Sequence, residues 1–216
     1  MSLKSNRTSS LLDLSVYVIT EPLPDRTPLE MATAAFTGGA GVVQFRHKGV
    51  TTRELFFQAQ RLVTLAREHH GKLIINDRVD LALAVRADGV HLGPDDLPVS
   101  VARRLLGPTA IIGASAGTVD EAIEAEAEGA SYLGVGCIYG TASKDDAGDP
   151  IGVERLAEIR AAVSLPIVAI GGIRAEYLPA LIAAGADGVA VISAITRAKD
   201  MKAATRALVR LMRAKG

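Results

Sequence analysis

Polar residues break into the apolar runs of this chain at a few places, and their types point to charge chemistry. In 41-GVVQFRHKGV-50 an apolar run delivers Gln44, Arg46 and Lys48 at alternate positions. An extended backbone sends alternate side chains to one face, so an amide and two cations would converge, and cations held there need an anion. The run 72-KLIIN-76 ends in Asn76 and Asp77, and 88-DGVHLG-93 leads to Asp95 and Asp96. Carboxylates without nearby Cys or clustered His are hard oxygen ligands suited to Mg²⁺ rather than zinc. Helix capping is the structural alternative for the same Asp residues.

Two further places suit phosphate. Gly171-Gly172-Ile173 ahead of a helix, and Ile192-Ser193 ahead of the next, match the anion site that barrels build after strands seven and eight. A monoester fits there. Arg46, Lys48, Lys144 and a metal are more charge than one monoester needs and suit a pyrophosphate. A pyrophosphate clamped by Mg²⁺ and cations is a leaving group, because those charges stabilise the oxygen that turns negative as its bond breaks. No Ser-His-Asp or Cys-His set points to covalent catalysis: Ser115 and Cys137 lack a base partner in the sequence, and His91 reads as hydrogen-bonded packing.

The elements that must position these residues follow a repeating order. Eight short apolar runs, 14–20, 41–46, 72–76, 88–93, 110–115, 131–136, 166–172 and 187–193, alternate with segments of helical period. Thr27 with Glu30, Thr51 with Glu54 and Thr118 with Glu121 form capping boxes that open helices. In the second helix Leu55, Phe56, Ala59, Leu62, Val63 and Ala66 make one apolar stripe, with Arg53, Gln60 and Arg67 outside it. Eight strand-helix units in 216 residues predict an α/β fold, a (β/α)₈ TIM barrel of one domain over 13–216, preceded by a flexible tail over 1–12. The polar stretch 140-GTASKDDAGDP-150 reads as the loop after strand six.

Lys plus Arg and Asp plus Glu both number 24, and this balance argues against a nucleic-acid or membrane partner. A single cysteine and the lack of a long apolar run lead us to expect a cytoplasmic protein with small-molecule partners. An apolar helix face left over by the barrel would allow a homodimer.

The motifs 44-QFRHK-48, 74-IINDRVDLAL-83, 88-DGVHLGPDDLP-98, 112-IGAS-115, 141-TASK-144, 150-PIG-152, 170-IGGI-173 and 189-VAVIS-193 together resemble the thiamine phosphate synthase family, in order from about Tyr17 to Ile195. The resemblance implies an Mg²⁺-dependent transferase of thiamine biosynthesis joining hydroxymethylpyrimidine pyrophosphate to thiazole phosphate. It implies pyrimidine-pyrophosphate contacts at Gln44, Arg46, Lys48 and Asn76, and metal ligands at Asp77 and Asp96. It further implies that Ser115 lies near the pyrimidine and that Thr141, Ser143, Gly172, Ile192 and Ser193 hold the thiazole phosphate. Lys144 would be one more pyrophosphate contact; Arg46, Lys48, Ser115 and Lys144 are the catalytic set. Pro94 departs from the Gln common in the family, Cys137 and Gly140 from frequent prolines, and Ser143 from Thr. A thiazole tautomerase or a non-catalytic thiazole-phosphate-binding barrel would share the fold, but neither needs the cations and carboxylates of a pyrophosphate clamp.

Overall fold

The computed structural model describes residues 12–141 and 149–214. Of the expected tail, all but Leu12 lies outside the described residues. Eight parallel strands form a closed ring in sequence order: β1 Val16–Ile19, β2 Val42–Phe45, β3 Lys72–Asn76, β4 Gly89–Leu92, β5 Ile111–Ala116, β6 Tyr132–Val135, β7 Ile167–Ile170 and β8 Gly188–Val191. The last strand pairs with the first, Val16 opposite Val189 and Val18 opposite Val191. This is the TIM barrel that the alternating runs predict.

The helices run α1 Pro28–Gly38, α2 Thr52–Glu68, α3 Val79–Val85, α4 Val99–Leu106, α5 Val119–Ala127, α6 Gly152–Ala162, α7 Leu178–Ala183, α8 Ser193–Thr196 and α9 Met201–Arg213. Thr27, Thr51 and Thr118 each accept from the backbone three residues on, and the Glu there returns the bond. These caps satisfy amides that the first helical turn leaves without partners. In α2, Ala59, Leu62, Val63 and Ala66 are buried, as the stripe requires.

Strand alternation divides the core into two. Val16, Val18, Val43, Phe45, Leu73 and Ile75 point outward and pack under the helices. Tyr17, Ile19, Val42, Ile74, Tyr132, Val168, Ala190 and Ile192 fill the barrel interior. No helix among the described residues is long and apolar enough to cross a membrane.

The ring is fastened where its ends meet. Arg26, just ahead of α1, donates to the carbonyls of Thr196 and Ala198 at 2.6 and 2.7 Å. Arg213 of α9 pairs with Asp13 at 3.0 Å. Glu21, beyond β1, accepts from both nitrogens of an Arg197 fork at 3.1 and 2.9 Å and from the Thr196 hydroxyl at 2.5 Å.

Candidate active site

The C-terminal strand ends surround a cavity of about 800 Å³, a size that suits one small ligand or two. Arg46, Lys48, Asn76, Asp77, Asp96 and Ser115 line it from β2 through β5. Thr141, Gly172, Ile192 and Ser193 line it from β6 through β8. Ser143 and Lys144 lie outside the described residues.

Gln44 is not among the residues that line this cavity. Its parity matches Arg46, as alternation demands, but two residues of strand span roughly 6.6 Å, so Gln44 sits one layer deeper. It is 1% exposed and donates from Nε2 to the Tyr17 hydroxyl at 2.9 Å. Alternation thus gives the face, and the depth along the strand separates Gln44 from the residues that line the cavity.

Arg46 is held at the end of β2 by Thr20. The Arg46 amide donates to Thr20 Oγ1 at 3.0 Å, and the Thr20 hydroxyl lies 3.1 Å from the Arg46 carbonyl. Burial pushes the Glu21 carboxyl up, but hydrogen bonds from Arg197 and Thr196 with the charges of Arg197 and Arg46 hold it below the usual range. Glu21 is therefore an anion supporting the cationic arc from within.

Asp77 and Asp96 do not cap helices. Arg78 occupies the N-cap of α3 and Pro98 that of α4, neither with a side-chain cap bond. Asp77 has φ 55°, a left-handed conformation that Asp tolerates better than most residues, and takes a 2.7 Å bond from Asn76 Nδ2. Asp96 Oδ2 accepts from the Gly93 amide at 2.6 Å. Burial raises the Asp77 carboxyl above its ordinary value, and the negative charge of Asp96 raises it further. The charges of Arg78 and Lys48 and the Asn76 bond offset this only in part, so the pair has room for a further cation. The two carboxylates fit Mg²⁺, which takes one or two protein carboxylates and fills its remaining positions with water and phosphate oxygens. Among the described residues no group of three or more His, Cys, Asp or Glu forms a cage of protein ligands alone.

The wall of the cavity at the end of β7 depends on glycine. Gly171 and Gly172 have φ 98° and 66°, values that favour residues without a Cβ. A Cβ on Gly172 would lie 2.3 Å from the Gly140 carbonyl oxygen, and one on Gly171 2.5 Å from Cys137 Sγ. Thus β7 and the β6 loop pack closely, and the backbone of Gly172 and Ile192 comes to the cavity wall.

Sequence reasoning missed several lining residues. His91 joins the wall, bonded through both ring nitrogens. Its register opposite Asn76 was the available signal, because paired residues share a face. Tyr139 and Tyr177 lie with ring centroids 4.2 Å apart, and they line the cavity with Arg197. One turn after Ser193, Arg197 follows from helical spacing once the short helix α8 is known.

The family model for thiamine monophosphate synthase matches residues 16–195, from the first strand to beyond the last. A thiamine-phosphate synthase of Moorella thermoacetica is 53% identical over 196 residues, covering 91% of this chain and 93% of that protein. One from Methanospirillum hungatei is 47% identical over 203 residues, covering 93% and 98%. The solved thiamine phosphate pyrophosphorylase of Pyrococcus furiosus superposes with TM-score 0.86 at 40% identity, covering 95% of this chain and 98% of that one. Sequence and fold agree over nearly the full length of each relative, so the chain belongs to the thiamine monophosphate synthase family and is a transferase of thiamine biosynthesis.

Proposed function

We propose that this enzyme condenses hydroxymethylpyrimidine pyrophosphate with thiazole phosphate, or its carboxylated form, to give thiamine phosphate and pyrophosphate. One observation carries the reading: the cations Arg46 and Lys48 and the carboxylates Asp77 and Asp96 share a cavity with the Gly171-Gly172 turn after β7 and with Ile192 and Ser193 after β8. Two anionic ends can therefore bind in one chamber with a reacting centre between them.

In this reading the bond from the pyrimidine methylene carbon to pyrophosphate oxygen breaks first, and its electron pair leaves with pyrophosphate. Electron release from the pyrimidine amino group stabilises the resulting cation. The thiazole nitrogen then donates its lone pair to form the carbon-nitrogen bond. Arg46 and Lys48 hold the departing anion, Asn76 and Ser115 orient the pyrimidine end, and Asp77 and Asp96 would hold Mg²⁺. The ion, when bound, supplies charge that offsets the negative charge growing on the pyrophosphate oxygens. Thr141, Gly172, Ile192 and Ser193 fix the thiazole phosphate so that its nitrogen faces the carbon. Ser143 and Lys144 keep the thiazole-phosphate and pyrophosphate roles that the sequence resemblance implies.

The test is thiamine phosphate formation from the two substrates with Mg²⁺ and with chelator, for wild type and Asp77→Ala. We expect product from wild type with Mg²⁺, and a loss of at least about 100-fold with chelator or in the variant. Full activity of Asp77→Ala would remove the metal assignment. Binding of thiazole phosphate without product would favour the tautomerase or the binding barrel.

A further inference from the structure

A chain of hydrogen bonds crosses the barrel interior beneath the cavity. Gln44 Nε2 donates to the Tyr17 hydroxyl at 2.9 Å, and the Tyr17 and Tyr132 hydroxyls lie 2.8 Å apart. The Tyr132 hydroxyl is 3.0 Å from His91 Nδ1, and His91 Nε2 is 3.1 Å from Ser115 Oγ. Gln44, Tyr17 and Tyr132 are each 1% exposed, whereas His91 and Ser115 line the cavity.

Space has been made for this array. A Cβ on Gly113 would fall 2.2 Å from the Tyr132 ring and 2.5 Å from His91 Nδ1, and one on Gly134 would fall 2.9 Å from His91 Cε1. Barrel interiors are ordinarily packed with branched apolar side chains. Here two neighbouring strands contribute glycine so that a phenol and an imidazole can lie inside. Buried polar groups cost stability unless each finds its partner, so such a network is a built feature.

The direction of the bonds follows from counting protons. Gln44 presents Nε2 to Tyr17, and its buried Oε1 has no hydrogen-bond partner. Tyr17 has one proton, and its other contact is Tyr132. With Nε2 of Gln44 turned to Tyr17, a bond donated by Tyr132 would leave the Tyr17 proton buried without an acceptor, which is costly. Tyr17 therefore donates to Tyr132, Tyr132 to His91 Nδ1, and a neutral His91 with its proton on Nε2 donates to Ser115 Oγ. The Ser115 proton is left for the cavity.

We propose that Gln44, Tyr17, Tyr132 and His91 are positioning residues that fix the Nε2-protonated tautomer of His91 and present Ser115 to the substrate as a hydrogen-bond donor. Its acceptor is a lone pair on the pyrimidine, a step that rests on the function proposed above. This gives Gln44 a role at a distance.

Nitrogen NMR of protein labelled in its histidine rings reads the tautomer without any substrate. We expect Nδ1 of His91 as the unprotonated nitrogen and Nε2 as the protonated one; a proton on Nδ1, alone or with one on Nε2, overturns the polarity. The kinetic arm uses Tyr132→Phe, Ser115→Ala and the double variant in thiamine phosphate formation. Tyr132→Phe should lower kcat about tenfold or more and lose the single-tautomer signature, yet add no further loss when Ser115 is already Ala. Losses that multiply in the double variant would show a general packing role and overturn the positioning role. Inactive wild-type protein would overturn the functional reading and with it the substrate contact, while the NMR measurement decides the tautomer independently.

Discussion

Asp77 and Glu21 are both acids near the cavity, and their surroundings push them in opposite directions. Asp77 is raised by burial and by Asp96, whereas Glu21 is lowered because its bonds to Arg197 and Thr196 outweigh burial. A carboxyl held below its ordinary value of 4.5 contributes stability that is present above that pH and is lost as pH falls through the lowered value. Acidification below about pH 4.5 should therefore destabilise wild type more than Glu21→Gln, as thermal unfolding across a pH series would show. At pH 7 the same variant should be less stable by about 1 to 2 kcal/mol, the worth of a charge-assisted bond whose partner is half in water. Equal slopes in the two proteins would mean that Glu21 does not hold this ion pair in solution. At this scale the sequence was legible in position, as for Asp77 and Asp96, which both come to the cavity from the ends of their strands. It was not legible where depth matters: Gln44 and Arg46 share a face, and only the tilt of β2 separates a buried amide from a cavity cation.

Turns and helix starts could be read with more certainty than single contacts, since their signals are local. The capping boxes at Thr27, Thr51 and Thr118 form as expected because each needs only residues three apart. Replacing Thr118 with Ala should lower stability by about 1 kcal/mol, measured by denaturant unfolding. The short helix α8 left no such trace: four residues are too few for a periodic pattern. Its place is set instead by Thr196, whose hydroxyl bonds Glu21. At the end of β7, Gly172→Ala combines a left-handed φ with a clash against the Gly140 carbonyl. That variant should raise KM for thiazole phosphate at least about tenfold, with a smaller change in KM for the pyrimidine substrate. An equal rise in both would place Gly172 outside the thiazole-phosphate site.

On the scale of the molecule, eight recurring apolar runs were enough to forecast the barrel, because a parallel strand must be followed by a crossover and a ring of eight closes. Which strands meet last could not be read locally, since β1 and β8 are brought together by the whole chain. That seam has a further meaning. Asp13 and Arg213 touch across it, so the polypeptide could be rejoined there by a few residues and cut open elsewhere, for instance between Gly107 and Pro108, beyond α4. Such a circular permutant should keep the fold and the activity of the parent, checked by circular dichroism and turnover; a chain that fails to fold would show that the order of synthesis matters. If it folds, the starting point of the polypeptide is a convention of the gene, and the machine itself is a cycle with no first member.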